Sequence, residues 1–386
     1  MSASPLKVLY VIGSLNIGGA ENQLLMLSSE LIKRGREAHL FSLEDDGPLK
    51  ALLMAAGVQI HTGGYNSQAS RWKKVFSLLR AEWRLFWLTL TLRPHALHAF
   101  LPLTNFMGAL TGRLLGVKTV ITSRRALGTH QDRHPWWKWC DRIANICSTS
   151  ITANSQAVVD DTISRDKVNP GKIRLIYNGL HFSGNNVECP KRNEIRNNLG
   201  IVDDQIALVS VANLIPYKGH QDLIEAFSII YKTNPNVHLY LIGEDRGILC
   251  ELKKFAHMHS VDKAITYMGR RNDVNILLCA MDIGIMASHE EGCSNALLEK
   301  LAAGLPIVAT SVGGNVEVLY GMPGCELVLP KNPIELANGI RKILGEECLP
   351  SISSRKRTEL VISRFSVAEM VNSHENLYQS PRHENS

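Results

Sequence analysis

The sequence predicts an α/β protein of two doubly wound domains that face each other across a cleft. Three observations lead to this fold class. The chain of 386 residues is too long for one ordinary core. Short β-rich runs alternate with amphipathic stretches, as in parallel sheets covered by helices on both faces. A segment rich in Asn, Gly and Pro, residues 178–194, separates two runs of this pattern.

The first half of the chain predicts a sheet of seven strands connected by helices. Runs of apolar and β-branched residues predict strands at 7–13, 38–43, 58–63, 95–100, 118–123, 150–155 and 172–179. Amphipathic helical patterns separate these runs. In residues 20–34, for example, Leu24, Leu27 and Leu31 recur at helical spacing and Gly35 supplies a stop.

The second half repeats the plan with six predicted strands. They lie at 206–213, 237–244, 264–269, 282–288, 305–310 and 325–330. The resulting boundaries are a first domain at 1–180, a linker at 181–192 and a second domain at 193–364. The polar tail at 380–386 is expected to fray.

Composition and cysteine spacing indicate a globular protein of the cytoplasm. Apolar residues make up 45% of the chain and charged residues 20%, as in folded domains. The eight cysteines form no C-x-x-C pair, which favours free thiols over disulfides or zinc. No signal peptide is recognised, and the apolar run at 85–92 is far shorter than the roughly 20 residues that cross a membrane. We therefore expect no transmembrane helix.

Positive charge is concentrated in one part of the first half. Residues 51–150 hold 13 Lys and Arg against 3 Asp and Glu, although the net charge of the whole chain is only +6. Residues 70–93 and 133–142 add tryptophans to this charge, a composition typical of helices that lie on an anionic membrane surface. The alternative is that half of these aromatic residues belong to the core. Nucleic acid is not expected as a partner, because no recognised module is present.

Two loops are candidates for contact with an anion. Gly13, Gly18 and Gly19 follow the first strand, where glycines let the backbone approach a phosphate and the next helix start adds N–H groups. A plain βα turn explains the same glycines, and their spacing does not fit the dinucleotide pattern G-x-G-x-x-G. Lys218 follows the first strand of the second half, where an ordinary solvated loop lysine is the alternative.

The stretch 289–314 combines a predicted helix start with two carboxylates. Ser294 is a reasonable N-cap, which would leave the N–H groups of Asn295 and Ala296 available to an anion. Glu299, one turn further along, could accept hydrogen bonds from vicinal hydroxyls, and Glu291 could do the same for a sugar. Two glutamates eight positions apart occur by chance in most chains of this size.

Taken together, several strings resemble the retaining glycosyltransferases of family 4, whose members have the GT-B fold. EGCSNALLEKLAAGLPIVATSVGG carries the E-x7-E signature of that family. GGAE, IYNGL, VANLIPYKGHQDLIEAF, LIGEDRG and YMGRRNDV fall in the family's order along the chain. The resemblance implies an acceptor-side first domain and a nucleotide-sugar-binding second domain. It also implies that residues 365–380 form a closing helix that crosses back to the first domain.

The resemblance implies roles for the matching residues. Glu299 would hold the nucleotide ribose, and Glu291 would face the hydroxyls of the donor sugar. Lys218 and the Gly18–Gly19 turn would neutralise the leaving diphosphate, so Glu291 and Lys218 are the expected catalytic residues. The backbone around Gly269 would contact the base. No metal and no cofactor are expected, because a lysine and helix starts can stabilise the diphosphate.

Two positions depart from the family pattern. Asn213 stands where an arginine is usual beside the diphosphate. After the strand at 118–122, where several relatives have a histidine near the acceptor, this chain reads TSRRALG. Arg124 or Arg125 could supply the missing charge from across the cleft or bind an anionic acceptor, and surface arginines are the alternative. His98 is a further candidate for the acceptor side, although a histidine at a strand end is as often structural.

The function implied is transfer of a hexose or amino sugar from a nucleotide diphosphate donor, with UDP expected first and GDP second. The aromatic, basic segments point to a lipid-linked or cell-envelope saccharide as acceptor. One alternative is a non-hydrolysing sugar-nucleotide epimerase, which shares the two-domain fold. An NAD(P)-dependent oxidoreductase would need a dinucleotide fingerprint that the sequence lacks. No carboxylate can be assigned as a nucleophile.

Overall fold

The computed structural model describes residues 6–180, 192–345 and 351–379. The chain divides into two compact units, Met1–His181 with Val367–Ser386, and Phe182–Ser366. Residues 181–191 of the predicted linker and the tail at 380–386 lie outside the described residues. Each predicted strand is present, with its ends shifted by a few residues.

The first unit contains a seven-stranded parallel sheet in the order β3-β2-β1-β4-β5-β6-β7. Its strands are β1 (Lys7–Ile12), β2 (Glu37–Ser42), β3 (Gln59–Thr62), β4 (Ala96–Phe100), β5 (Thr119–Arg124), β6 (Ser150–Ala153) and β7 (Ile173–Leu175). The central strands β1, β4 and β5 are buried almost throughout, because helices cover both faces of the sheet. This burial explains why they read as nearly continuous apolar runs.

Eight helices among the described residues surround this sheet. They are α1 (Gly19–Lys33), α2 (Lys50–Ala55), α3 (Arg71–Leu92), α4 (Pro102–Leu114), α5 (His130–Arg133), α6 (Trp137–Cys147), α7 (Gln156–Asp166) and α16 (Val367–Gln379). The last of the described helices, α16, packs beside α1. Its Met370, Val371 and Tyr378 join the apolar core of the first unit, so this helix belongs to that unit.

The second unit contains a six-stranded parallel sheet in the order β10-β9-β8-β11-β12-β13. Its strands are β8 (Ile206–Val211), β9 (Val237–Ile242), β10 (Ile265–Gly269), β11 (Ile283–Met286), β12 (Ile307–Thr310) and β13 (Cys325–Val328). Its helices are α8 (Arg192–Asn198), α9 (His220–Tyr231), α10 (Leu249–Met258), α11 (Val274–Leu278), α12 (Asn295–Ala302), α13 (Asn315–Leu319), α14 (Pro333–Gly345) and α15 (Ser351–Arg364).

The strand order of each sheet reverses at one point. In the first sheet the reversal lies between β1 and β4, and in the second it lies between β8 and β11. At such a point successive connections run to opposite faces of the sheet and leave a crevice at the carboxyl ends of the strands, where ligands bind. The loops after β1, β8 and β11 are the ones that the sequence marked as candidate sites.

Helix α3 covers the sheet with only a narrow face. Ser77, Ala81, Leu85 and Thr89 recur every four residues and are buried, while the rest of this 22-residue helix is largely exposed. Within the described ranges, no helix combines the length and apolar character required to cross a bilayer.

Candidate functional site

The reversal point of the second sheet brings together two residues that lie 73 positions apart in the sequence. The loop after β8 carries Lys218, and the loop after β11 carries Glu291. The Lys218 ammonium contacts Oε1 of Glu291 at 2.6 Å, and the Ser288 hydroxyl donates to the same oxygen at 2.7 Å. Both side chains are largely buried. Lys218 is therefore half of an ion pair, whereas the sequence suggested two independent side chains.

Two glycines fix the loops that hold this pair. Gly219 has φ +67°, and a Cβ atom there would lie 1.9 Å from the carbonyl oxygen of Ala287. Gly313 has φ +50°, and a Cβ atom there would lie 1.8 Å from the carbonyl oxygen of Glu291. A larger residue at Gly219 would push its loop away from Ala287, and a larger residue at Gly313 would push its loop away from Glu291. The glycines thus set the spacing between Lys218 and Glu291.

Helix α12 begins as the sequence predicted. The Ser294 hydroxyl accepts a hydrogen bond from the backbone N–H of Leu297 at 3.4 Å, which makes Ser294 the N-cap. Asn295 and Ala296 form the first turn of the helix, next to the loop that carries Glu291.

Glu299 lies on the same helix without a hydrogen-bond donor in the described part of the chain. Burial raises the pKa of Glu299 to about 7, and the charge of Lys300 opposes this shift only in part. A partly buried carboxylate with free lone pairs is prepared to accept hydrogen bonds from a ligand. This geometry is compatible with the role that the family resemblance implies.

Lys300 is a residue that the sequence analysis missed. Its side chain is fully buried, and its ammonium donates to the carbonyl oxygen of Ile285 at 2.8 Å. Burial lowers the pKa of Lys300 to about 7, against the opposing charges of Glu291 and Glu299. The sequence held one signal for this burial, because Lys300 lies three positions after Leu297 and therefore on the same buried face of the helix. It adds a third titratable group behind the two glutamates.

Replacing Glu299 with glutamine should stabilise the ligand-free protein and weaken nucleotide binding. Its pKa near 7 exceeds the 4.5 of an exposed glutamate, so the unpaired carboxylate costs stability increasingly from pH 4.5 to 7 and fully above that range. We expect the glutamine variant to gain about 1–3 kcal/mol at pH 8 and nothing at pH 4, measured by denaturant unfolding. Calorimetry should show nucleotide affinity reduced by about 1–3 kcal/mol.

The matched control is Asp204→Asn, which changes an exposed carboxylate of the second unit. It should change neither the pH dependence of unfolding nor the affinity for nucleotide. If Glu299→Gln left nucleotide affinity intact, the proposed ligand contact would be wrong. Unchanged stability at pH 8 would show instead that the carboxylate is better solvated than its surroundings indicate.

Asn213 and Gly269 occupy the carboxyl ends of strands in the second sheet. The Asn213 side-chain oxygen accepts from the backbone N–H of Glu244 at 3.2 Å, and its carbonyl oxygen lies 3.1 Å from Nε2 of His220. The Gly269 carbonyl accepts from the backbone N–H of Gly243 at 2.9 Å. Asn213 thus joins the loops after β8 and β9 and supplies no charge of its own.

In the first unit, the Gly18–Gly19 turn lies at the start of α1. Gly18 has an extended backbone, with φ −143°, and the helix begins at Gly19. Burial raises the pKa of Glu21 in the first turn, and the charge of Arg125 opposes the shift. Arg125 also donates to the Asn178 side-chain oxygen at 2.6 Å. A cation of the first unit therefore lies near this turn.

The structure corrects the prediction for Arg124. Its guanidinium is buried, and it pairs with Asp141 at 2.7 Å and with Asp166 at 3.1 Å. It also donates to the Asn145 side-chain oxygen at 3.0 Å. Two buried carboxylates neutralise the charge, so Arg124 is not a surface arginine and is not available to an acceptor or a diphosphate. Its role is to hold α6 and α7 against β5.

The structure also corrects the prediction for His98. The ring is fully buried, with Nδ1 2.7 Å from the Tyr378 hydroxyl and Nε2 2.7 Å from the Ser123 hydroxyl. Burial holds the pKa of His98 well below its usual value, so the ring stays neutral. With both nitrogens occupied, His98 anchors α16 to the sheet and does not line an acceptor site.

No cluster of three or more His, Cys, Asp or Glu side chains suited to a metal ion occurs among residues 6–180, 192–345 and 351–379. The polar groups gathered at the reversal point of the second sheet are a lysine, two glutamates and a helix start. Such groups bind anionic and hydroxyl-bearing parts of a ligand.

Two doubly wound parallel sheets of this kind are the architecture of the GT-B fold of glycosyltransferases. Comparison with family models agrees: residues 17–183 match Glycosyltransferase Family 4, and residues 205–346 match Glycosyl transferases group 1. The chain belongs to glycosyltransferase family 4.

Relatives of known activity and a solved structure resemble the chain. It is 27% identical over 229 residues to N-acetyl-alpha-D-glucosaminyl L-malate synthase of Bacillus anthracis, covering 56% of this chain and 58% of that protein. It is 24% identical to UDP-Gal:alpha-D-GlcNAc-diphosphoundecaprenol alpha-1,3-galactosyltransferase of Escherichia coli, over 71% and 72% of the two chains. Anabaena Alr3699/HepE in complex with UDP-glucose superimposes with a TM-score of 0.82 at 20% identity, over 97% and 100%.

Proposed function

We propose that this protein transfers a hexose or amino sugar, with retention of anomeric configuration, from a UDP-linked donor to a lipid-linked or cell-envelope saccharide. The observation that carries the proposal is the meeting of Lys218, Glu291 and Glu299 at one reversal point. A cation, a carboxylate beside it and an unpaired carboxylate match the diphosphate, sugar and ribose of a nucleotide sugar.

The proposed nucleotide of the sugar donor is UDP, and GDP is the second candidate. Support comes from the solved Anabaena structure, which holds UDP-glucose, and from the Escherichia coli relative, whose name specifies UDP-galactose. The Bacillus anthracis and Escherichia coli relatives differ in acceptor, one malate and the other a diphosphoundecaprenol-linked sugar. The lipid-linked acceptor is proposed for this chain because α3 and α6 expose apolar side chains beside basic ones.

Two helices of the first unit expose apolar stripes suited to a membrane surface. On α3, Trp72, Phe76, Leu79 and Trp83 recur at intervals of four, three and four residues and are 62–87% exposed. On and before α6, the exposed residues are Trp136, Trp139, Ile143 and Ile146. Both helices contribute to one core cluster, so their outer stripes lie on the same side of the sheet.

Cations flank these stripes, which favours anionic lipid as the partner. Arg71, Lys73, Lys138 and Arg142 are exposed. Arg80, by contrast, donates to the Gly64 carbonyl oxygen at 2.6 Å, and Arg84 donates to the Thr62 carbonyl oxygen at 3.3 Å. These two are tied down locally and contribute less than the sequence suggested. We propose peripheral attachment to the cytoplasmic face of a membrane.

In the proposed reaction, charge develops on the diphosphate as the bond to the sugar breaks. Lys218 stabilises that charge, and a preformed cation needs no reorganisation at the moment of reaction. Glu299 accepts hydrogen bonds from the ribose hydroxyls, and Glu291 orients both Lys218 and the donor sugar. Arg125, near the Gly18–Gly19 turn, is the proposed cation of the first unit. A metal is not required by this assignment.

The proposal is tested by incubating the pure protein with UDP-, GDP- and ADP-sugars and extracted lipid-linked saccharides, with and without EDTA. Mass spectrometry should detect an acceptor heavier by one sugar and a stoichiometric amount of free UDP, equally in both conditions. The anomeric configuration of the new linkage follows from NMR coupling constants. An isomerised nucleotide sugar without acceptor product would indicate an epimerase, and loss of activity in EDTA restored by Mg²⁺ would contradict metal independence.

A further inference from the structure

Helix α12 carries a lysine whose side chain is completely buried. Lys300 is 0% exposed and lies on the same face of the helix as the buried Leu297 and Leu301. Its ammonium donates to the carbonyl oxygen of Ile285 in β11, at 2.8 Å. An ammonium has three N–H donors, and among the described residues this carbonyl is the single acceptor within hydrogen-bond distance. Burial of a charge with so little compensation is costly, so packing does not explain it.

Strand β11 is shaped to receive this side chain. A Cβ atom at Gly284 would lie 2.8 Å from Cδ of Lys300, so the glycine leaves the space that the lysine occupies. Gly284 lies inside a fully buried strand, where a glycine has no side chain to pack and weakens the strand. Apolar side chains at the two positions could fill the same volume without either cost. The combination of this glycine and this amine points to a role for the charge of Lys300.

The charge of Lys300 acts on the carboxylates at the reversal point of the second sheet. Burial raises the pKa of Glu299 to about 7, and the charge of Lys300 opposes the rise. Burial lowers the pKa of Lys300 to about 7, and the charges of Glu291 and Glu299 oppose the fall. Glu291 has Lys218 as a direct partner at 2.6 Å, whereas no described residue donates a hydrogen bond to Glu299. The ionisation of Glu299 therefore depends on Lys300.

The other titratable groups packed around α12 do not supply this charge. Burial and the two nearby lysine charges lower the pKa of His220, at the start of α9, to about 4, so this ring is neutral at pH 7. Arg357 of α15 is directed at the carbonyl oxygen of Gly304, to which it donates at 3.0 Å and 2.7 Å. Helix α11 contains no titratable side chain. Lys300 is thus the buried cation beside Glu299.

We propose that Lys300 is a positioning residue of the nucleotide site, whose buried ammonium keeps the Glu299 carboxylate ionised so that it accepts hydrogen bonds from the ribose. The inference rests on the proposed function, because it concerns the same nucleotide site. A ligand whose hydroxyls donate to Glu299 favours the state in which the carboxylate is charged and Lys300 holds the proton. Lys300 is fully buried, so it acts through Glu299 and does not touch the ligand.

The test measures UDP binding to the whole protein by calorimetry between about pH 6 and pH 10, in wild type and in Lys300→Met. Without the lysine charge, burial acts unopposed on Glu299 and raises its pKa further. We expect UDP affinity of the variant to be about tenfold lower at pH 7 and to approach that of wild type at the alkaline end, since one pKa unit is a factor of ten. The phosphate of UDP titrates near pH 6 in both measurements, so the difference between the two curves reports the protein.

Three further variants make the comparison specific. Lys232→Met removes an exposed lysine at the end of α9 and should reproduce the wild-type curve. In a Glu299→Gln background, Lys300→Met should no longer change the pH dependence of UDP affinity, because no carboxylate remains to be ionised. Methionine is an uncharged chain of similar length and should preserve the fold. If Lys300→Met is too unstable to measure, Lys300→Gln keeps a donor for the Ile285 carbonyl oxygen and should show the same alkaline displacement.

The outcomes distinguish this inference from the proposed function. An alkaline displacement that disappears in the Glu299→Gln background supports the role of Lys300. Superimposable curves, a displacement to lower pH, or an affinity lowered by the same factor at every pH overturn it, and the last result would indicate a packing role alone. Absence of UDP binding by wild type at every pH overturns the assignment of the nucleotide site itself.

Discussion

Replacing Lys218 with alanine should lower the rate of sugar transfer roughly 10²–10³-fold, the effect of losing one preorganised group that stabilises developing charge. The loss should fall mainly on kcat, because the charge on the diphosphate grows as its bond to the sugar breaks. Steady-state kinetics with a defined donor and acceptor measure this change. Equal losses in kcat and donor affinity would show that Lys218 only docks the donor.

The same substitution should destabilise the protein, which has to be separated from the catalytic loss. Without Lys218 the buried Glu291 carboxylate loses its ion-pair partner, at a cost of about 3 kcal/mol. The double variant Lys218→Met with Glu291→Gln should recover most of that stability, since Ser288 can still donate to the amide oxygen. It should remain inactive. Recovery of activity together with stability would mean that the pair is structural.

Replacing Trp72, Phe76 and Trp83 with serine should release the protein from anionic vesicles. Each of these side chains is more than half exposed and contributes about 1–2 kcal/mol when a membrane takes it out of water. We expect the vesicle partition coefficient to fall at least a hundredfold, measured by flotation with vesicles of phosphatidylglycerol and phosphatidylcholine. Transfer to a water-soluble acceptor should be unchanged.

The matched control changes three exposed apolar residues of the second unit, Tyr320, Leu329 and Ile334, to serine. This variant should float like wild type. Replacing Lys73 and Lys74 with glutamine should weaken flotation at low salt by about 1 kcal/mol for each charge, and much less at high salt. Undiminished flotation of the aromatic triple variant would contradict a membrane role for α3, and the stripe on α6 would be tested next.

The regular elements of the fold were accessible from the sequence because their signals are local. Strands β1, β4 and β5 read as apolar runs since both of their faces are buried, and α1 shows helical spacing that ends at a glycine. The cap at Ser294 is likewise a contact between residues three positions apart. Such short patterns can be recognised without knowing which elements pack against them.

The predictions that were wrong concern charged and polar residues whose partners lie on other strands and helices. Arg124 ends β5 and was predicted to supply charge to a diphosphate or an acceptor, but α6 and α7 supply buried Asp141 and Asp166 that pair with it. His98 looked like a ligand-facing residue, but α16 at the far end of the chain contributes the Tyr378 hydroxyl that occupies it.

The sequence by itself determined the succession of strands and helices along the chain and, through several strings in the family's order, the family. Apolar periodicity specifies the strands and helices, and short strings specify the family; both signals depend on neighbours within a few residues. Only the tertiary structure decided that Lys218 is paired with Glu291, that Glu299 is unpaired and that Lys300 is buried among them. The state of a charge depends on distance and solvent access, and folding sets both by joining loops far apart in the chain.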